Sequence, residues 1–170
     1  MREKTKELCR AALGASVLCL FSPWSLYLGA LPITLSFFAI LLISWVFKPK
    51  TALFATLIYV ALGAAGVPVF AGFVGGFQVV VGPTGGFILS YPIVALICSK
   101  FGTSMAKKLI CGFVSTTITY LIGFAWLSIT TGTSFIILLF SSSIFLAVFD
   151  LVKIFAAALF STEIKKRLRL

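Results

Sequence analysis

Three long stretches without any charged residue dominate this chain of 170 residues, at 11–47, 51–99 and 109–149. They contain 37, 49 and 41 residues. One membrane-spanning helix needs ~20 apolar residues, so each stretch is too long for one span and long enough for two. Turn-forming residues interrupt the stretches at 22–32, 63–86 and 130–133. The pattern predicts three helical hairpins, and therefore an all-α integral membrane protein with six transmembrane helices.

The composition supports this class of protein. The chain is 61% hydrophobic and 11% charged, whereas about a quarter of the residues in a soluble domain are charged. Six spans leave no room for a separate soluble domain, so we expect residues 1–170 to form a single membrane domain. The predicted spans are 8–22, 33–47, 51–65, 84–100, 108–127 and 135–162.

The formal net charge of +10 raises the question of nucleic-acid binding, but the distribution of charge argues against it. Thirteen of the 14 Lys and Arg residues lie at 2–10, 48–50, 100–108 and 165–169. These are the segments that six spans place on one side of the membrane. Because basic residues collect on the cytoplasmic side, we predict that both termini are cytoplasmic and that nucleic acid is not a partner.

The fourteenth basic residue, Lys153, lies with Asp150 inside the last predicted span. A charge at the centre of a bilayer costs roughly 2.5–3.5 kcal/mol on insertion scales, so this pair needs a reason. Their spacing places both side chains on one face of a helix, one turn apart. Two interpretations remain: the pair binds a polar ligand, or the two charges neutralise each other and brace the helix.

The stretch 63–86 holds eight of the 14 glycines and no charge. This composition predicts an ordered, apolar outer loop between helices 3 and 4, in which Phe70 and Phe73 can enclose a small molecule. Gly85 and Gly86 open the next helix, where free backbone N–H groups attract carbonyl or carboxylate oxygens; a tight turn is the alternative. No Lys-Ser/Thr pair follows, so this is not a phosphate-binding loop.

Further polar residues are candidates for ligand contacts: Gln78, Thr84 and Tyr91 near the glycine-rich stretch, and Thr34, which either caps a helix or faces a ligand. Ala11 and Ala15 form a face of small residues that packs within the chain or docks on another membrane subunit. The chain has no histidine, and Asp150 is the only carboxylate within the spans. These are too few groups for acid–base catalysis, so we expect a protein that is not an enzyme and has no metal or cofactor.

Several motifs together resemble the BioY-type substrate-binding subunits (S components) of energy-coupling factor transporters. They are Gly66-Val67-Pro68-Val69-Phe70, Gly75-Gly76, Gly82-Pro83-Thr84-Gly85-Gly86, Leu31-Pro32-Ile33-Thr34-Leu35 and Asp150-x-x-Lys153. The resemblance covers nearly the whole chain. One departure is Ser36, where that family usually has Gln, and it weakens a role for this side chain.

The resemblance implies a subunit that captures biotin with high affinity in a bacterial cell membrane. A coupling membrane subunit would dock at Ala11 and Ala15, and separate ATPase subunits would supply the energy. Asp150 can accept from the ureido N–H groups of biotin, and Lys153 can donate to the ureido oxygen or to the carboxylate. Two alternatives are an S component for another small vitamin and a structural membrane subunit without a ligand.

Overall fold

The computed structural model describes residues 2–27 and 32–168, and at 2, 141–145 and 168 it describes the backbone alone. Within these ranges the chain is mostly helical, with one small hairpin of strands. The elements are α1 (Arg2–Phe21), β1 (Ser25–Tyr27), β2 (Pro32–Thr34), α2 (Ser36–Val46), α3 (Pro49–Ala64), α4 (Phe77–Val81), α5 (Gly85–Phe101), α6 (Met105–Thr131) and α7 (Phe135–Leu168). The six long helices overlap the six predicted segments. Helix α1 begins before its predicted start, α6 extends beyond both of its predicted ends, and α7 ends after its predicted end.

The helices differ in length. Among the described residues, α6 is the one helix that is both long and apolar enough to cross a membrane by itself. Helices α2, α3 and α5 are apolar but have only 11, 16 and 17 residues. At 1.5 Å per residue, α3 is ~24 Å long, shorter than the ~30 Å hydrocarbon core of a bilayer.

The chain is mostly helical, but the prediction of an all-α fold did not include the two short strands. Ser25 pairs with Thr34, and Tyr27 pairs with Pro32, in an antiparallel hairpin. Pro32 therefore does not begin a helix: proline is tolerated at the edge of a sheet, and α2 begins four residues later. Thr34 lies in β2, and no side chain caps α2. Residues 28–31 of the predicted turn at 22–32, including Leu31 of the resemblance motif, lie outside the described residues.

The glycine-rich stretch contains more regular structure than a loop. After α3, Phe70 and Val74 form an isolated antiparallel bridge, and α4 follows. Gly76 has a φ of 114°, which glycine adopts at no steric cost. The N–H of Gly72 donates to the carbonyl of Pro23 at 2.9 Å. This bond joins the glycine-rich stretch to the turn after α1.

Three connections of two or three residues set the direction of the helices. They join α2 to α3, α5 to α6 and α6 to α7, and such short links make neighbouring helices antiparallel. The α5–α6 link ends at Ser104, whose hydroxyl accepts from the N–H of Lys107, and α6 ends at the left-handed Gly132. The lysines at 48–50, 100 and 107–108 therefore share one end of the bundle, opposite the hairpin.

The small-residue face of α1 packs inside this chain. Ala11 and Ala15 are 1% and 3% exposed. Between them, a methyl group at Gly14 would lie 2.9 Å from the Cβ of Ala55 in α3. The two alanines therefore allow α1 and α3 to approach closely. Both alanines are buried within this chain, which favours packing inside the chain over docking, the two roles that the sequence left open.

Candidate ligand-binding site

Asp150 and Lys153 form a nearly buried ion pair on α7. The Nζ of Lys153 donates to Oδ1 of Asp150 at 2.8 Å, and the two side chains are 11% and 10% exposed. The other carboxylate oxygen, Oδ2, accepts a hydrogen bond of 2.7 Å from the hydroxyl of Tyr120 on α6. Short bonds to an ionised group are among the strongest that proteins make.

A cavity of about 240 Å³ lies beside this cluster. Its wall is drawn from every described element except α1 and β1. The polar part of the wall consists of Thr34, Ser36, Tyr59, Thr84, Tyr91, Thr119, Tyr120, Asp150 and Lys153. The apolar part consists of Pro32, Ile33, Phe37, Phe70, Ala71, Val74, Val79, Phe87, Ile88 and Leu146. An apolar cavity with a few converging polar groups is typical of a small-molecule site.

Aromatic rings form one side of the cavity. The ring of Tyr59 meets that of Phe70 edge to face at 5.6 Å between centroids, and it lies 6.5 Å from that of Tyr91. Ser36 is a polar neighbour of both tyrosine hydroxyls, and its own hydroxyl reaches the carbonyl of Ser22 at 3.4 Å. This side therefore offers flat apolar surface with hydroxyl groups at its edge.

The structure brings six of the ten predicted ligand-contact residues to the cavity wall: Thr34, Phe70, Thr84, Tyr91, Asp150 and Lys153. They come from β2, the glycine-rich stretch, α5 and α7. The other four lie outside the wall. Phe73 is 57% exposed, has a positive φ of 59° and packs against Trp24. Gln78 is exposed, and its amide donates to the carbonyl of Gly75 at 3.4 Å.

Gly85 and Gly86 serve helix packing in this structure. A side chain at Gly85 would overlap the carbonyl of Val80, and one at Gly86 would overlap Trp126 of α6. The indole Nε1 of Trp126 in turn donates to the carbonyl of Gly82 at 2.9 Å. Gly86 allows α5 to approach α6 closely, and Gly85 leaves room for the carbonyl of Val80 in α4. This geometry favours packing over the predicted binding of ligand oxygens at their N–H groups.

Sequence reasoning missed the contribution of α6 and α3 to the wall. Thr119 and Tyr120 lie within a long apolar helix, where neither stands out singly. A signal does exist: the buried residues Gly112, Ser115, Thr116, Thr119 and Gly123 are small or polar and recur at the i, i+3, i+4 spacing of one helix face. Tyr59 of α3 carries no comparable signal, and Ser36 was discounted because the similar family has Gln there.

The arrangement suits a small ligand that is partly polar and partly apolar. One carboxylate accepts hydrogen bonds, one ammonium donates them, and aromatic rings cover the apolar part. Because the ammonium and the carboxylate are 2.8 Å apart, a ring that touches one is within reach of the other. A ligand with N–H donors next to a carbonyl acceptor matches both groups at once.

Comparison with known proteins identifies the family to which this chain is similar. The model of the BioY family matches residues 1–170. The probable biotin transporter BioY of Pyrococcus horikoshii is 37% identical over 126 residues, covering 74% of this chain and 76% of that protein. The biotin transporter BioY of Thermotoga maritima is 33% identical over 174 aligned positions, covering 95% and 96%.

The fold also has a counterpart among solved structures. The crystal structure of an S-component for biotin from an ECF-type ABC transporter matches with a TM-score of 0.85. The match covers 97% of this chain and 93% of that protein at 22% sequence identity. At this level of identity, the likeness establishes a shared fold.

Proposed function

This chain belongs to the BioY family, and we propose that it is the biotin-binding S component of an energy-coupling factor transporter. The observation that carries the proposal is the ion pair of Asp150 and Lys153 at the wall of a largely apolar cavity. Biotin has a ureido ring with two N–H donors and one carbonyl acceptor, an apolar thioether ring and a carboxylate tail. Each part has a matching group in the cavity.

In the proposed complex, the carboxylate of Asp150 accepts a hydrogen bond from a ureido N–H. The ammonium of Lys153 has three donors, and one of them reaches the ureido oxygen while another stays on Asp150. The rings of Phe70 and Tyr59 cover the thioether part of the ligand. The hydroxyls of Thr34 and Thr84 are donors for the carboxylate tail. Charge-assisted bonds in a dry cavity reject ligands that lack these groups.

We place the protein in a bacterial cell membrane as a multi-pass subunit with both termini in the cytoplasm. The basic residues at one end of the bundle support this orientation, and the hairpin and the glycine-rich stretch then lie on the outer side. Helices α2 and α3 are shorter than the hydrocarbon core, and in this proposal the glycine-rich stretch and the hairpin fill the rest of its thickness on the outer side. Non-helical backbone is tolerated at that depth when it is packed against protein.

Uptake in this proposal requires partners. A coupling membrane subunit and ATPase subunits supply the energy, and this chain captures the ligand without catalysing a reaction. Because Ala11 and Ala15 are buried, we assign docking to the neighbouring face of α1, where Ala12 and Ser16 are small and exposed. Small residues let helices of different subunits approach closely in a bilayer.

Equilibrium binding of radiolabelled biotin to the purified chain in detergent tests the ligand. We expect saturable binding that unlabelled biotin abolishes and that a panel of other vitamins leaves unchanged. Binding of a different vitamin, with no competition by biotin, would make the chain an S component for that vitamin. Absence of binding for the whole panel would refute ligand capture by the isolated chain.

A further inference from the structure

We propose that Tyr120 is a positioning residue, which holds the carboxylate of Asp150 in its binding orientation while Lys153 turns to the ligand. The inference rests on the proposed function, because its readout is biotin affinity. It adds a residue of α6 to a site whose charged pair lies on α7. No motif in the sequence pointed to this residue.

The first observation is the division of donors between the two oxygens of Asp150. Oδ1 accepts from Lys153 and Oδ2 accepts from Tyr120, at 2.8 and 2.7 Å. Lys153 is on the same helix as Asp150, so its bond does not fix α7 relative to any other helix. Tyr120 makes its bond from α6, and it therefore sets the direction of the carboxylate relative to the cavity.

The second observation is the difference in rigidity between the two donors. The ring of Tyr120 lies 5.5 Å from that of Phe124, which meets Phe87 of α5 edge to face at 5.6 Å. A phenol ring has two side-chain torsions, and this packing restricts both. Lysine carries its ammonium on a flexible four-carbon chain. The tyrosine can hold its position in the empty and the occupied cavity, whereas the lysine can move.

The consequence concerns the moment of binding. When Lys153 directs one of its donors to a ligand oxygen, its remaining bond to Asp150 is weakened, and a buried carboxylate that is poorly supplied with donors is strongly unfavourable. The Tyr120 bond remains and keeps one oxygen satisfied. Each carboxylate oxygen accepts two hydrogen bonds, so the ligand N–H can still bind. Tyr120 thus leaves Lys153 available without leaving Asp150 unpaired.

A double-mutant cycle tests the inference with biotin as the probe. We expect Tyr120→Phe, which keeps the ring and its packing, to weaken biotin binding about tenfold, the typical effect of one bond to a charged group. Because the tyrosine acts through the carboxylate, Tyr120→Phe should cause less than a twofold further loss in an Asp150→Ala background. The coupling between the two substitutions is the quantity measured.

Tyr59→Phe is the matched control, since it makes the same change in the same cavity at a hydroxyl whose neighbour is Ser36. Its effect should be equal in the wild-type and Asp150→Ala backgrounds. Equal losses for Tyr120→Phe in both backgrounds, or no loss at all, would overturn the positioning role. Failure of the wild-type chain to bind biotin would instead refute the proposed function, so the two outcomes are distinguishable.

Discussion

The interface between α6 and α7 contains two lysines that are buried in different ways. Lys153, at the cavity, pairs with the carboxylate of Asp150. Lys108, towards the basic end of the bundle, is 4% exposed. Its Nζ donates to the hydroxyls of Ser161 and Thr162, both at 2.8 Å, and lies 5.9 Å from the centre of the Trp45 ring. Among the described residues it makes no ion pair.

The two lysines differ in the partners that depend on them and in the open volume beside them. The acceptors of Lys108 are neutral hydroxyls, which themselves donate to the carbonyl of Ala158. They stay hydrogen-bonded if the ammonium is removed, and Lys108 does not line the cavity. At the other position, a carboxylate depends on its lysine, and open volume lies beside both. We therefore propose that the buried ammonium of Lys108 serves packing, whereas the ion pair of Asp150 and Lys153 binds the ligand.

The strongest way to break this comparison is to remove the carboxylate. We expect Asp150→Ala to weaken biotin binding at least ~100-fold, about 2.8 kcal/mol. The substitution removes the acceptor for the ligand N–H and leaves the ammonium of Lys153 nearly buried without a partner. Equilibrium binding of radiolabelled biotin measures the loss. Wild-type affinity in this variant would mean that the ion pair has no part in binding.

Exchanging each lysine for methionine compares the two environments directly. Lys153→Met should weaken binding about 30-fold, because it removes a donor to the ligand and one of the two donors to Asp150. Lys108→Met, the matched control on the same helix pair, should change affinity by less than twofold. Parallel titrations of both purified variants decide the matter. Similar losses at the two positions would show that the lysines are equivalent and that our distinction is wrong.

A smaller effect is expected from the apolar wall. A methyl group at Gly63 would overlap the ring of Phe70, which is fully buried against Tyr59. Gly63→Ala should therefore push this ring into the cavity and weaken biotin binding about tenfold, because overpacking shifts neighbouring side chains.

Gly132→Ala is the control for the Gly63 substitution. Gly132 has a φ of 71° and open space around it, so alanine there should lower thermal stability through backbone strain. Biotin affinity should not change. If Gly63→Ala lowered the melting temperature but kept wild-type biotin affinity, the apolar wall at Phe70 would have no part in binding.

The smallest expected loss of biotin affinity, at Ser36, tests where the binding site ends. Ser36 is 2% exposed and lies in the wall, and its hydroxyl makes a long bond of 3.4 Å to the carbonyl of Ser22. Ser36→Ala should reduce biotin affinity about threefold, as expected for a weak neutral hydrogen bond. Gln78→Ala, outside the wall, should leave affinity unchanged. A larger loss at Gln78 than at Ser36 would move the site towards the glycine-rich stretch.

Much of this architecture is predictable because the positions of the charged residues and the lengths of the apolar stretches can be read directly from the sequence. The uncharged stretches locate six helices, and the cost of burying a charge singles out Asp150 and Lys153. The hairpin was not predictable, because pairing of Ser25 with Thr34 depends on contacts between segments and not on the local preference of Pro32. The position of Phe73 outside the cavity wall, with a positive φ and an exposed side chain, was likewise not predictable from local sequence.

Other parts of the site follow from packing that the sequence does not encode locally. The small residues Ala11 and Ala15 suit any close helix contact, so their pattern cannot distinguish α3 from a partner subunit. Tyr120 lies 30 residues from Asp150, and only the packing of α6 on α7 brings the two together. The same holds for Tyr59, which reaches the cavity from α3.

The most direct test of the central claim is a structure of the protein with biotin bound. Our account predicts that the ureido ring lies in the cavity, with one N–H about 2.7–3.2 Å from a carboxylate oxygen of Asp150, and with the Tyr120 hydroxyl still on Oδ2. Biotin bound elsewhere, or bound in the cavity without a contact between its ureido ring and Asp150, would contradict the account.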